Sequence, residues 1–253
     1  MTPIVELDDV TVVYRSGRGA RRREVTAMRN VSLQVAPGET LGLVGESGSG
    51  KSTTSAVVLG LQPVTEGRVR FDGASLERRL RSRAGRVQAV QQHPQWALDP
   101  RMRVIDSVLE PLQVIARGRR AENRRRALAM LSDVGLPESF ATRRPHELSG
   151  GQRQRVAIAR ALVTNPSFIV FDEAVSALDV SVQAQILNLV LDLQAEHGFA
   201  SLFISHDLAA VRYVSHRVAV MRHGSIVEVA ETSVFYQSPS HPYSQMLFQE
   251  LHS

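Results

Sequence analysis

Gly45-Glu46-Ser47-Gly48-Ser49-Gly50-Lys51-Ser52 sets glycines and hydroxyls ahead of a lysine in the spacing Gly-x-x-x-x-Gly-Lys-Ser. Glycines let a backbone wrap closely around phosphate oxygens with its N–H groups turned inward, and a helix starting at Lys51 adds the partial positive charge of its N-terminus. The ammonium of Lys51 can then reach the outer phosphates of a nucleoside triphosphate, and the Ser52 hydroxyl suits Mg2+, with Thr53 next on the same turn. Of the 30 basic residues, Lys51 is the only lysine and 29 are arginines. A compact ammonium fits such a cradle where a planar guanidinium fork does not.

A second group of reactive side chains closes the apolar run Phe168-Ile169-Val170-Phe171-Asp172-Glu173. Asp172 is placed to hold Mg2+ through its water shell, and Glu173 to orient or deprotonate the water that attacks a γ-phosphate. The pair gains this meaning only if its strand end neighbours the cradle in one sheet.

The elements that must position these groups are legible from periodicity. Val10 to Tyr14 is β-prone, Val31 to Val35 alternates, Thr40 to Val44 is a short apolar run, and Pro37-Gly38 marks the turn between the last two. A helix is predicted from Lys51 to about Leu61, then a strand over Gly67 to Gly73. From Asp106 to Gly135 the pattern is helical, with Val108, Leu109, Leu112, Leu128 and Leu131 on the apolar face. Phe168 to Phe171, Leu202 to Ile204 and Val218 to Met221 are apolar throughout, as expected of strands covered on both faces in a parallel α/β sheet. Val182 to Glu196 supplies a crossover helix, His223-Gly224 turns into a strand over Ile226 to Val229, and the last twenty residues read as a surface tail.

The 253 residues, 43% hydrophobic, suffice for one large domain. No stretch approaches the roughly 18 to 20 consecutive apolar residues of a membrane span, and Met1 to Tyr14 lacks a secretory pattern, so the chain is expected in the cytosol unless a partner brings it to a membrane. The absence of cysteine excludes disulfides, thiolate metal sites and cysteine nucleophiles. The net charge of +5 raises nucleic acid or an acidic membrane surface as a partner. However, Arg21 to Arg23, Arg78 to Arg86 and Arg117 to Arg126 carry no interleaved aromatics for base stacking, so the arginines read as solvated surface and no nucleic-acid partner is expected.

Leu148-Ser149-Gly150-Gly151-Gln152 resembles the signature of the ABC ATPases. Further matches run through nearly the whole chain. Gln92 resembles the family's Q-loop glutamine, Ser176-Ala177-Leu178-Asp179 its D-loop, His206 its switch histidine, and Tyr14 the aromatic that stacks on adenine. The resemblance implies an α/β fold: a P-loop NTPase (RecA-like) core with a β-rich N-terminal subdomain and an inserted α-helical subdomain. The core with its antiparallel subdomain would take residues 1–91 and 162–230, the helical subdomain 92–161 and the tail 231–253. It also implies a composite site for ATP and Mg2+. Two cassettes pair head to tail, and Ser149, Gly150, Gly151 and Gln152 of one face the nucleotide held by the other. His206 contacts the γ-phosphate, and Gln92 senses Mg2+ and the attacking water. Metal contacts fall to Ser52, Gln92 and Asp172, and catalysis to Glu173, His206 and Gln92. One residue departs from the pattern: the family usually has proline after the glutamate, and here Ala174 removes the extended-backbone bias a proline would impose on Glu173.

Gln95-Trp96-Ala97-Leu98-Asp99-Pro100-Arg101, Val175 to Gln185 and the tail Pro239-Ser240-His241-Pro242-Tyr243-Ser244 resemble the oligopeptide, dipeptide and nickel importer branch. That branch implies a second ATPase subunit, either a homologous chain or another copy of this one. It also implies two membrane permeases and, indirectly, an external binding protein, with the chain peripheral on the cytoplasmic face. The stretch from Gln92 to Arg101 would touch a permease, or else pack only on its own helical subdomain. Peptide import is the first expectation; nickel or metal-chelate import, an exporter ATPase and a soluble ABC ATPase are the alternatives.

Overall fold

The computed structural model describes residues 2–16, 23–76, 83–93, 97–115 and 118–250. The chain divides into two compact units, one comprising Met1–Leu80 with Ala200–Ser253 and the other Arg81–Phe199.

In the first unit, β1 (Val5–Ser16), β2 (Arg23–Val35), β4 (Glu66–Phe71) and β5 (Ala74–Ser75) form an antiparallel sheet in the order β2-β1-β4-β5. β3 (Thr40–Val44) runs parallel between β8 (Ala200–Ile204) and β9 (Arg217–Arg222), and β10 (Ser225–Glu231) pairs antiparallel with β9. Every residue of β3 and β8 is buried, which is why both read as apolar runs and not as alternating strands. Leu43 is level with Ile204, so the residues that follow, from Gly45 and from Ser205, leave the same edge. That edge, at the carboxyl ends of parallel strands, is where open α/β sheets place ligands. α1 (Lys51–Val58) begins there, and α6 (Leu208–Val214) packs against β3.

The second unit pairs β6 (Val87–Gln91) in parallel with β7 (Phe168–Asp172) and carries α2 (Val104–Ile115), α3 (Arg120–Asp133), α4 (Gly150–Leu162) and α5 (Val180–His197). Val104, Ile105, Val108 and Leu112 of α2 and Ala127 and Leu131 of α3 are buried at the spacing of one face per helix, whereas α4 is buried all round, with Val156, Ala157, Ile158 and Ala159 consecutive. Each fully buried Val, Leu or Ile side chain among them contributes about 1.5–3 kcal/mol. Some arginines do more than cover the surface. Arg126 donates to the Val163 carbonyl that ends α4, and Arg155 to the Val134 carbonyl that ends α3. Both satisfy acceptors that a helix C-terminus leaves over. Arg21, Arg22, Arg78, Arg79, Arg81 and Arg117 lie outside the described residues.

Several elements differ from the sequence expectation. The cradle helix ends at Val58, with Gly60 at φ 72 closing it, three residues before Leu61. The helical stretch predicted over 106–135 is two helices, and β6 and α6 are additions. The C-terminal stretch is not a surface tail. It forms α7 (Thr232–Gln237) and α8 (Pro242–Glu250), with Phe235 and Tyr243 buried and the Phe235, Tyr236 and Phe248 rings in mutual edge contact at centroid distances of 5.1 to 5.3 Å.

The close approach of α6 to β3 depends on Gly42, where a Cβ would lie 2.5 Å from Val211 Cγ1 and 2.7 Å from Ser215 Oγ. Gly42→Ala is therefore expected to destabilise the fold by roughly 1–3 kcal/mol as an overpacked core does, read as a lower midpoint in thermal or denaturant unfolding.

Candidate functional site

In the first unit the loop after β3 crosses the sheet edge on glycines with positive φ: Gly45 at 149°, Gly48 at 78° and Gly50 at 114°. Gly45 has a second reason to lack a side chain, since a Cβ there would sit 2.1 Å from the Met221 carbonyl oxygen. The loop is pressed against the turn between β9 and β10, where Gly224 N–H donates to the Ser49 carbonyl at 2.8 Å. Lys51 is buried at the start of α1, and its ammonium donates to the carbonyls of Gly45 at 2.6 Å and Glu46 at 2.8 Å. Its side chain is thus folded back over the loop, where the amide groups and the helix N-terminus together make a strongly positive pocket. Ser52 is exposed on the first helical turn and Thr53 is partly exposed beside it. Ser47 is exposed, and Ser49 is buried.

His206 follows β8 and is exposed. Its position is set by its neighbours: Ser205 is buried and its hydroxyl accepts from Asp207 N–H at 3.0 Å, while Asp207 caps α6 by accepting from the Ala209 and Ala210 amides. Tyr14 lies opposite Val25 on the antiparallel sheet with 42% of its surface exposed.

In the second unit the register of β6 and β7 brings Gln91 level with Asp172, so Gln92 and Glu173 leave the same edge together. The structure therefore unites the amide and the two carboxylates picked out from sequence. Asp172 and Glu173 are partly exposed at the end of a strand whose other four residues are buried. Glu173 sits at φ 52, in the left-handed region, and its carbonyl accepts from the Ser176 N–H and hydroxyl at 3.2 and 2.9 Å. The backbone at Glu173 is thus not the extended form expected of the residue before a proline, and Ala174, buried behind it, forgoes no extended geometry. A non-glycine residue held there stores strain of about 1–3 kcal/mol, of a kind that clusters at functional sites.

Ser149 is the N-cap of α4. Its Oγ accepts from Gln152 N–H at 3.3 Å, and its own N–H donates to Gln152 Oε1 at 2.9 Å, a reciprocal capping box. The Gln152 carbonyl oxygen is thereby turned back on the cap. Ser149 keeps its hydroxyl proton for another acceptor, and the first-turn amides of Gly150 and Gly151 have no intrahelical acceptor. Gly151 also serves packing, because a Cβ there would lie 2.6 Å from Val182 Cγ1. Asp179 caps α5: its Oδ1 accepts from Val182 N–H at 2.9 Å and Ser181 Oγ at 2.7 Å, and these bonds, the Val182 amide first, hold its carboxyl below the usual range. Pro94, Gln95 and Trp96, expected to meet a permease, lie outside the described residues. Beyond them Leu98 is buried and Asp99 closes a short turn onto Arg101 N–H.

Residues 28–176 match the family model described as ABC transporter. The chain belongs to the ABC transporter family. This cassette accordingly binds and hydrolyses ATP. It is 49% identical over 98% of its length to a putative peptide import ATP-binding protein of Brucella melitensis, spanning 68% of that relative. It is 48% identical over 97% of its length to the glutathione import ATP-binding protein GsiA of Pectobacterium atrosepticum, spanning 40% of it. Among solved structures, an ATP-binding cassette caught as a dimer in a post-hydrolysis state with ADP and Pi matches with TM-score 0.77 and 33% identity, covering 90% of this chain and 98% of that one. The cassette cbiO1 of Clostridium perfringens, part of the transporter complex cbiONQ, matches with TM-score 0.82 and 25% identity over 93% of this chain and 91% of its own.

The turn to Ser176 holds Glu173 outside the extended region that a following proline favours, so proline at 174 brings no gain. Ala174→Pro is expected to change ATP turnover by less than about tenfold, the equivalent of roughly 1.4 kcal/mol, in a steady-state phosphate-release assay.

Proposed function

We propose that this chain is the ATP-hydrolysing subunit of an importer of short peptides. On this reading it works on the cytoplasmic face of a membrane, paired with a second cassette and docked on permease subunits. The observation that carries the peptide reading is the 49% identity to a peptide import protein over 98% of the chain, well beyond the residues 28–176 common to the wider family. Glutathione, named in the second relative, is itself a short peptide, so both relatives fall in one substrate class.

Within the site, Tyr14 stacks on adenine, the amides from Glu46 to Ser52 cradle the phosphates, and Lys51 neutralises the outer ones. Among the described residues no three His, Cys, Asp or Glu side chains cluster as a ready metal cage. Sparse oxygen donors fit Mg2+, which keeps several waters and binds chiefly through substrate phosphates. Ser52, Gln92 and Asp172 would hold it, and when bound it supplies charge neutralisation at the β- and γ-phosphates. Glu173 orients the attacking water and draws off its proton, with Gln92 beside it on the same edge, and His206 hydrogen-bonds the γ-phosphate. Ser149, Gly150 and Gly151 present a hydroxyl and helix-start amides to the γ-phosphate held by the partner cassette, and Asp179 stands beside them at the start of α5. ATP then joins the two cassettes, and hydrolysis with phosphate release lets them part, as expected when a ligand favours the closed state.

Glu173→Gln is expected to bind ATP, to lose turnover by about 100-fold or more, and to elute as a dimer with ATP in size-exclusion chromatography. Turnover near the parent rate would refute the assignment. Lys51→Ala should instead weaken nucleotide binding itself. The transport half is tested in cells lacking this chain: uptake of a labelled short peptide should be lost, and restored by the parent protein but not by Glu173→Gln.

A further inference from the structure

The Gly45 carbonyl and the Glu46 N–H belong to one peptide group, and both are engaged. The carbonyl accepts the Lys51 ammonium at 2.6 Å, and the N–H donates to the Tyr243 hydroxyl at 3.1 Å. A peptide group is rigid and planar, so an anchor on its N–H fixes the direction of its C=O. Glycine at 45 cannot do this by itself. Its φ of 149° and the nearby Met221 carbonyl forbid a side chain, and without a Cβ the adjoining peptide has wide rotational freedom.

Tyr243 is well placed to act as that anchor. It is 2% exposed, and the Arg222 guanidinium lies over its ring at 4.6 Å from the centroid. Its backbone N–H donates to His241 Nδ1 at 3.1 Å, and the Ser240 and His241 amides donate to the Glu228 carboxylate at 2.8 and 3.0 Å. Gln245 Nε2 ties the start of α8 back to the Pro239 carbonyl at 3.0 Å. The segment Pro239 to Gln245 is thus fastened to β9 and β10, the hairpin whose turn also holds Ser49 through Gly224. Burial first, and the Glu46 carboxylate, push the Tyr243 phenol above its ordinary value against the opposing pull of the Glu46 amide, so the hydroxyl stays protonated and neutral.

We propose that Tyr243 is a positioning residue for the phosphate cradle: by holding the Glu46 N–H it fixes the Gly45–Glu46 peptide plane and, through the Gly45 carbonyl, the ammonium of Lys51. The C-terminal segment is then part of the nucleotide site without touching nucleotide. This rests on the reading of the loop as the ATP site. Its chemistry requires a hydroxyl oxygen at the tip of an aromatic ring. Phenylalanine preserves the ring under Arg222 and removes only the hydroxyl, leaving the Glu46 amide in the oriented loop without its protein acceptor.

The experiment compares the full-length parent, Tyr243→Phe and Tyr243→Leu by equilibrium titration with Mg·ATP, steady-state hydrolysis and thermal unfolding without nucleotide. Tyr243→Phe is expected to weaken ATP binding about fivefold and to raise KM more than it lowers kcat, with an unfolding midpoint close to that of the parent. Tyr243→Leu, which also loses the ring, is expected to show the same weakening plus a lower midpoint. ATP affinity in Tyr243→Phe equal to that of the parent overturns the proposal, whether or not the midpoint falls, because the tyrosine would then serve packing alone. A parent that fails to bind Mg·ATP overturns the underlying reading of the cradle, an outcome the same titration separates from the first.

Discussion

A loop that binds phosphate must hold its amide groups and a lysine ammonium in one concave surface, although like-oriented dipoles and a buried positive charge repel one another there. In this chain the carbonyls of Gly45 and Glu46 receive the Lys51 ammonium and so offset that repulsion from within the loop. The Gly45–Glu46 peptide plane is held from behind by Tyr243 at the Glu46 N–H, and the far end of the loop is held by Gly224 at the Ser49 carbonyl. Much of the first unit serves this constraint. The buried parallel strands fix the edge, Gly45 allows the loop to lie against Met221, and the C-terminal helices seat the tyrosine.

The second unit meets a different demand with the same economy of means. Its functional groups stand at element ends, where backbone groups are left over and side chains can be fixed by capping. Ser149 and Asp179 begin helices, and Gln92 and Glu173 end neighbouring strands in register. Capping costs Ser149 no donor capacity, because a hydroxyl that accepts from Gln152 still has its proton to give. Glu173 is held in the left-handed region by a turn, so its carboxylate is placed by backbone geometry that the fold must sustain.

The cradle, the paired carboxylates and the signature are legible in the sequence because each is a local spacing with a local physical reason. Strands buried on both faces are equally plain, since Phe168 to Phe171 and Leu202 to Ile204 admit no alternation. What escapes is non-local. Glu46 and Tyr243 are 197 positions apart, and nothing in Pro239 to Ser244, rich in turn formers, marks a buried tyrosine. β6 escapes because Gln88 and Gln91 dilute its apolar run, although Gln92 just past its end is recognisable. Reading Ala174 as the loss of an extended bias at Glu173 weighs the neighbouring residue alone, whereas the backbone there is left-handed and hydrogen-bonded to Ser176. The Ser149-to-Gln152 spacing does contain the capping signal that explains why both side chains face each other.

The absent side chain at Gly151 has a mechanical consequence. With Val182 Cγ1 only 2.6 Å from where a Cβ would stand, the opening turns of α4 and α5 meet without a compressible layer between them. Close-packed contacts of this kind transmit displacement instead of absorbing it. Any shift imposed on Asp179 and its helix start must therefore carry the Ser149 corner with it, so the two loops behave as one jaw and not as two independently adjustable contacts.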